Sequence, residues 1–372
     1  PSLRNRLIRI AAFQNPEFYK AQAMRLSTFD KPRIIGCCED FPKHVGLPRG
    51  CLEEVLDLLE GLKIKAAIRD ERNPGTPVDV NFLGELRPEQ KEAVEALLPH
   101  DMGVLSATTA FGKTVVAAHM IAARHVNALV LVHRRQLQDQ WIAQLGNFLG
   151  LDKKRIGVIG GGKHKATGFI DVAIVQSLCR KGVVDDCVAG YGHLIVDECH
   201  HISAPSFEQI AKQSKARYVL GLSATVTRKD GHHPIIFMNC GPIRYRVDAK
   251  RQAEARPFEH KVVVRTTEMR LPPELQFQER PSIQAIYAAL AADKERNHLI
   301  VSDVLAAVDA GRSPVVLTER TDHLEWLVEA LSRHIPNVIT LRGGMGRKQR
   351  AAITEKIASI PDSESRVLAS TG

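Results

Sequence analysis

The segment Ser106–Thr114 reads SATTAFGKT and joins an apolar run from Met102 to a helical pattern that begins near Lys113. A glycine, a lysine and a hydroxyl in a row at a strand-to-helix junction suit a phosphate chain carrying a divalent cation. Backbone N–H groups of such a loop, with the helix amino end behind them, meet an anion with a favourable dipole. Gly112 lets the backbone approach closely, Lys113 reaches the β- and γ-phosphates, and the Thr114 hydroxyl ligates Mg²⁺. Thr109, Ala110 and Phe111 complete the expected cradle. The bland alternative is a chance Gly-Lys-Thr at a junction of this kind.

A second constellation, HLIVDECHH at His193–His201, puts two carboxylates directly after an apolar strand. Burying unpaired carboxylates is costly, and a cation would supply the reason for them. Asp197 is then expected to hold Mg²⁺ through water, and Glu198 to orient and deprotonate an attacking water. Acidic pairs also occur as plain helix caps, so the pair gains meaning from the loop upstream. The strands leading to the two are expected side by side in one parallel sheet. His200 is expected to bond towards Ser223 or Thr225.

These groups need a scaffold to hold them. A chain of 372 residues exceeds one hydrophobic core and predicts more than one domain. Short apolar runs at Met102–Ala107, Ala128–His133, Arg155–Gly160, Val172–Gln176, His193–Glu198 and Tyr218–Ala224 alternate with helical patterns such as Thr114–His125. Runs of this kind, apolar on both faces, predict a parallel sheet in a doubly wound α/β domain. Pro314–Glu319, Asn337–Arg342 and Arg366–Thr371 repeat the pattern after a proline-containing stretch at Arg270–Glu274. Ahead of both, a helix–strand–helix pattern (Asn15–Leu26, Pro32–Cys38, Cys51–Leu62) ends in the turn-rich Asn73–Pro77.

Composition narrows the function classes. At 44% hydrophobic and 25% charged residues, the balance is that of a soluble globular protein. Aromatics at 5% exclude base stacking as the main binding mode, and a formal charge of +9 suits a polyanionic partner. No apolar run is long enough to span a bilayer. Seven irregularly spaced cysteines argue against a disulfide framework and for a reducing, cytoplasmic setting. The chain opens on Pro1 with no initiator methionine, so a fragment is expected at that end.

The Asp-Glu-Cys-His box after a Gly-Lys-Thr loop resembles superfamily 2 DEAD/DEAH-like helicases, and further segments match in order. LRPEQ at Leu86–Gln90 resembles the Arg-Pro-x-Gln segment that reads adenine in those enzymes, which implies Arg87 and Gln90 at the base of ATP. LVHRRQLQDQW at Leu131–Trp141 resembles motif Ia and VQSL at Val175–Leu178 motif Ic. Both touch the tracked strand's backbone in the family, which implies Arg134, Gln176 and Ser177 as nucleic-acid contacts. GLSATVTRKDG at Gly221–Gly231 resembles motif III followed by the Arg-x-Asp signature of XPB-type DNA translocases. It implies Ser223, Thr225, Arg228 and Asp230 as coupling residues; Lys229 departs from the usual acidic middle residue. VVLTER at Val315–Arg320 and LRGGMGRKQR at Leu341–Arg350 resemble motif IV and its follower, and RVLASTG the opening of motif V.

The resemblance implies tandem RecA-like doubly wound parallel-sheet domains with a small α/β accessory domain in front. The expected division is 1–84 for an accessory, DNA-engaging domain, 85–250 for the ATP-binding lobe, and 251–372 for a linker and an incomplete second lobe. The family usually carries glycine where Ala110 stands, and alanine resists positive φ, so strain is expected in the loop. Motif VI, which supplies arginine fingers, does not follow Gly372; such an arginine is worth about 10³–10⁵ in rate in related phosphoryl transfer. Slow hydrolysis by the chain itself is therefore expected.

The expected function is that of an ATP-dependent DNA helicase or translocase core, acting on duplex or single-stranded DNA with restriction, defence or repair partners. An RNA helicase, a nucleotide-gated DNA-binding module and a nuclease subunit are the competing classes. GGGKHK at Gly160–Lys165 reads either as a backbone-contacting anion nest, with Lys163 on nucleic acid, or as a turn of solvated lysines. Cys199, His200, His201, His232, His233 and Cys240 fit no familiar zinc spacing.

Overall fold

A computed structural model describes residues 2–200, 204–225, 231–248, 261–276, 280–361 and 363–371. The chain divides into two compact units, Pro1–Phe258 and Glu259–Gly372.

The first unit is organised by strands β1 (Met102–Ser106), β2 (Ala128–Val132), β3 (Ile156–Gly160), β4 (Lys163–Lys165), β5 (Ile170–Ile174), β6 (His193–Val196), β7 (Tyr218–Ser223) and β8 (Ile243–Arg246). They form one eight-stranded sheet in the order β8-β1-β7-β6-β2-β5-β3-β4. Every neighbouring pair is parallel except β3–β4. Alternate residues feed two cores. Leu105, Val130, Ile195 and Leu220 point to the face covered by α1 (Pro88–Leu97), α2 (Lys113–Arg124) and α3 (Arg135–Leu149). Val104, Leu129, Leu194 and Val219 point to the other, under helices Ala204–Gln213 and Pro234–Cys240. Each fully buried Leu or Ile contributes roughly 1.5–3 kcal/mol, which is why the central strands are mostly apolar on both faces.

Three sequence expectations change here. β1 and β6 are not neighbours: β7 lies between them, pairing Ser223 with Ser106 and Gly221 with Val196. The run Val172–Gln176 leaves the sheet after Ile174 and closes into a helical turn, Val175–Leu178. Two strands escaped the apolar pattern, β4 (Lys-His-Lys) and β8 (Ile-Arg-Tyr-Arg), because edge strands need no second apolar face.

Two buried polar groups mark this domain. The Asp171 side chain, fully buried on β5, accepts from the amides of Gly157 (3.1 Å), Thr167 (2.8 Å) and Gly168 (3.1 Å) and from the hydroxyls of Thr167 and Tyr191. His193 opens β6 at 1% exposure; burial, and then the Arg124 charge, hold its imidazole down to about 3. Because this folded value lies below the ordinary 6.5, the folded chain binds fewer protons than the unfolded one. Stability is fully present above pH 6.5 and lost as the pH falls from there towards 3. His193→Phe is expected to flatten urea-unfolding stability across that window, removing a slope of about 1.4 kcal/mol per pH unit. An unchanged slope would show that other groups carry the acid sensitivity.

The amino-terminal segment belongs to the same unit. A two-stranded antiparallel pair, Ala12–Gln14 with Ile34–Gly36, and helices Leu3–Ile10, Pro16–Ala23 and Leu52–Gly61 enclose a small core around Ala11, Cys37 and Cys51. Arg49 donates to the carbonyls of Ala216 (2.8 Å) and Ser214 at the end of helix Ala204–Gln213. Gly50 packs so tightly that an added Cβ would lie 2.2 Å from the Phe237 carbonyl oxygen.

The second unit holds a parallel three-stranded sheet in the order β9-β11-β10, from β9 (Val315–Thr318), β10 (Asn337–Leu341) and β11 (Arg366–Thr371). Its core joins Val367 and Ala369 to Leu324, Leu327 and Leu331 of helix Thr321–Ser332. No helix among the described residues is long and apolar enough to cross a membrane.

Candidate nucleotide-binding site

In an open parallel sheet, ligand crevices form outside the carboxyl ends of the strands. At that edge β1 runs into Ala107–Gly112, β6 into Asp197–His200, β7 into Ala224 and Thr225, and β2 into His133 and Arg134. A cavity of about 500 Å³ lies there, lined in part by Thr109, Arg134, Gln140, Glu198, His200 and Thr225.

The loop is shaped by Gly112, whose φ of +86° is left-handed. A side chain at this point would also place its Cβ 2.6 Å from Gln90 Nε2, so glycine is needed twice over. Ala110 lies in a single 3₁₀ turn, Thr109–Phe111, and is not among the left-handed non-glycine residues of the described chain. The strain expected at Ala110 is therefore absent, because Gly112 makes the left-handed step. Lys113 and Thr114 open α2, and first-turn amides have no intrahelical acceptor.

Lys113 is buried to 6% exposure, donates to the Ala107 carbonyl at 3.2 Å, and stands 3.2 Å from Glu198 Oε1. Glu198 adopts a φ of +44°, which for a non-glycine residue costs about 1–3 kcal/mol and tends to occur where function requires it. His200 Nδ1 lies 2.8 Å from Ser223 Oγ and 3.4 Å from Glu198 Oε2. Ser223 Oγ donates to the Thr225 carbonyl. The intervening β7 thus brings Ser223 alongside the acidic box. Asp197 is 6% exposed, and burial pushes its carboxyl upward against the pull of the Trp141 N–H.

Arg87 and Gln90 sit behind the loop. The Gln90 side chain accepts from the Arg87 amide at 3.0 Å and donates to the Phe111 carbonyl at 2.8 Å. The Arg87 guanidinium donates to the same carbonyl. Both residues brace the Thr109–Phe111 turn from the start of α1, which the sequence alone does not indicate. Of the expected nucleic-acid contacts, Arg134 lines the cavity. Exposed Gln176 and half-buried Ser177 occupy the turn after β5, and exposed Lys163 begins β4 opposite Gly160. Arg228 and Asp230 lie outside the described residues.

The sequence assigns Trp141 no role of its own. It is buried to 2% exposure, yet its indole N–H donates to Asp197 Oδ2 at 2.7 Å. The one available signal was that a buried tryptophan N–H usually finds a partner. For a cation, the oxygen donors Thr114 and Asp197 beside a buried lysine and helix-end amides suit hard Mg²⁺ with phosphate oxygens. Cys199 and Cys240 are buried thiols pushed upward by burial, Cys240 to about 12. Among the described residues, the three metal-capable side chains within 4.8 Å of one another are His164, Asp185 and Cys187, none from that histidine–cysteine set.

Residues 83–228 match the family described as "Type III restriction enzyme, res subunit", a span that takes in the loop, the acidic box and β7. The chain is 26% identical over 313 residues to "Probable helicase D10" of Escherichia phage T5, covering 82% of this chain and 64% of that protein. It is 30% identical over 263 residues to "DNA 3'-5' helicase XPB" of Kineococcus radiotolerans, covering 66% of this chain and 44% of that one. The chain spans about half the length of the curated relatives it matches. In fold, it is similar to the crystal structure of T4 UvsW, with a TM-score of 0.50 at 15% identity over 99% of this chain and 76% of that one. With an α/β sheet of RecA-like form carrying the loop and acidic box, the chain has superfamily 2 helicases as relatives, XPB-like proteins among them.

Proposed function

We propose that this chain binds ATP with Mg²⁺ in the crevice at the carboxyl edge of the first sheet and hydrolyses it to drive movement along DNA. The observation that carries the reading is the approach of Lys113 to Glu198, 3.2 Å apart and drawn from two non-adjacent strand ends. Neither partner is useful in a merely structural pair, since a buried ion pair of this kind adds little net stability. Lys113 is placed to exchange the Glu198 carboxylate for phosphate oxygens, which frees Glu198 to take a proton from water. Thr114 and Asp197 would hold Mg²⁺, whose charge offsets that of the phosphates. His200, bonded to Ser223, would carry the state of Glu198 to β7 and the Thr225 turn.

DNA is favoured by the XPB-like relative, while a mimivirus relative carries an RNA helicase name. Stimulation of phosphate release by duplex DNA, single-stranded DNA and RNA separates the two. Restriction, defence or repair partners are part of this proposal, as is a cytoplasmic location. In the direct test, Lys113→Ala is expected to weaken binding of a fluorescent ATP analogue by ~10–100-fold, the range for loss of a charged hydrogen-bonding group. Parent-like binding by that variant would sink the reading.

A further inference from the structure

Helix α3 touches the cavity with its first turns and the acidic box with its middle. Gln136, Leu137 and Gln140 line the cavity, and Trp141 follows directly. The fully buried Gln138 donates to the carbonyls of Ile159 (3.0 Å) and Val172 (2.8 Å), fastening the helix to β3 and β5. Trp141 lies three residues on, hence on the same helix face, and its indole reaches the end of β6. There Asp197 Oδ2 accepts from the indole at 2.7 Å, and Oδ1 accepts from the Glu198 amide at 3.0 Å.

Each carboxylate oxygen therefore has one fixed donor, one from its own backbone and one from α3. Two donors, one at each oxygen, fix the rotation of the carboxylate and leave further lone pairs on both oxygens for a cation or its waters. Packing alone does not require the hydrogen bond, because a phenyl ring keeps most of the apolar contact without an N–H. We infer that Trp141 is a positioning residue: its indole N–H sets the plane of Asp197 so that the carboxylate faces the cation that accompanies a nucleotide. The inference rests on the nucleotide reading above and adds a residue that touches neither phosphate nor water.

The test is a Mg²⁺ titration of N-methylanthraniloyl-ADP binding to the full chain, parent against Trp141→Phe, with nucleotide affinity in EDTA and Tm measured alongside. Trp141→Phe is expected to raise the Mg²⁺ concentration needed for half-maximal enhancement by ~10-fold, the effect of one hydrogen bond to a charged group. Affinity in EDTA should stay within about 2-fold, since the indole donates to no other group that faces the nucleotide. Trp141→His, which restores an N–H donor, is expected to recover part of the loss. As a readout free of disruption at this point, Trp141 emission in a Trp326→Phe background should change when Mg²⁺ is added to the nucleotide complex; the chain has two tryptophans. Equal Mg²⁺ dependence in parent and Trp141→Phe, or a matching loss in EDTA, overturns the inference alone. A parent that binds no nucleotide overturns the proposed function and this inference together.

Discussion

Glu198→Gln is expected to slow the proposed ATP hydrolysis by about 10²–10⁴-fold while nucleotide binding stays within a few-fold. That range is the contribution of a positioned general base. The swap keeps size and hydrogen-bonding reach, and glutamine meets the same backbone penalty at a φ of +44°, so Tm should move little. What changes is basicity at the position 3.2 Å from Lys113 and 3.4 Å from His200. Single-turnover phosphate release with bound nucleotide quantified in the same samples separates the chemical step from binding. Hydrolysis at the parent rate would remove Glu198 from the chemistry and favour a nucleotide-gated binding module.

The largest expected stability effect lies away from the crevice. Asp171→Ala should destabilise the first unit by roughly 3–5 kcal/mol, because it removes from a fully buried position the acceptor of three amides and two hydroxyls at once. For a domain of this size, Tm falls by about 2–4 °C per kcal/mol, so a drop of roughly 10 °C is expected by calorimetry. Asp171→Asn should lose less, keeping one acceptor oxygen and turning an amide donor towards the donors that remain. A drop below about 2 °C for Asp171→Ala would mean that water replaces the carboxylate, which its zero exposure argues against.

The central strands were legible because burial on both faces leaves a continuous apolar run. Ala128–Val132 is buried at every position. The left-handed turn at Gly112 and the buried Lys113 were legible for a related reason: both are dictated by backbone geometry and burial at one point in the chain. Strand order was not legible, since nothing in the local pattern of Tyr218–Ser223 says that it enters between β1 and β6. Edge strands β4 and β8 escaped because charged residues interrupt Lys163–Lys165 and Ile243–Arg246, so neither reads as an apolar run. Trp141 and Asp171 escaped for a third reason. Their partners lie up to 56 residues away, and hydrogen bonding across that distance leaves no periodic trace. The roles given to Gln176 and Ser177 rest on resemblance and that of Lys163 on the glycine-rich turn before it, and the structure adds only their place at the carboxyl edge of the sheet.

The seam at Arg49 and Gly50 has a mechanical consequence. With Arg49 bonded to the end of helix Ala204–Gln213 and no room for a methyl group at Gly50, residues around the seam have no slack in which to pivot. A hinge needs loosely packed backbone that can absorb dihedral change, and here the packing is close where the amino-terminal segment meets the lobe. That segment behaves as a bracket rather than a flap. Any tilt of helix Ala204–Gln213, which follows the acidic box in the chain, is transmitted to the bracket as whole-body rotation.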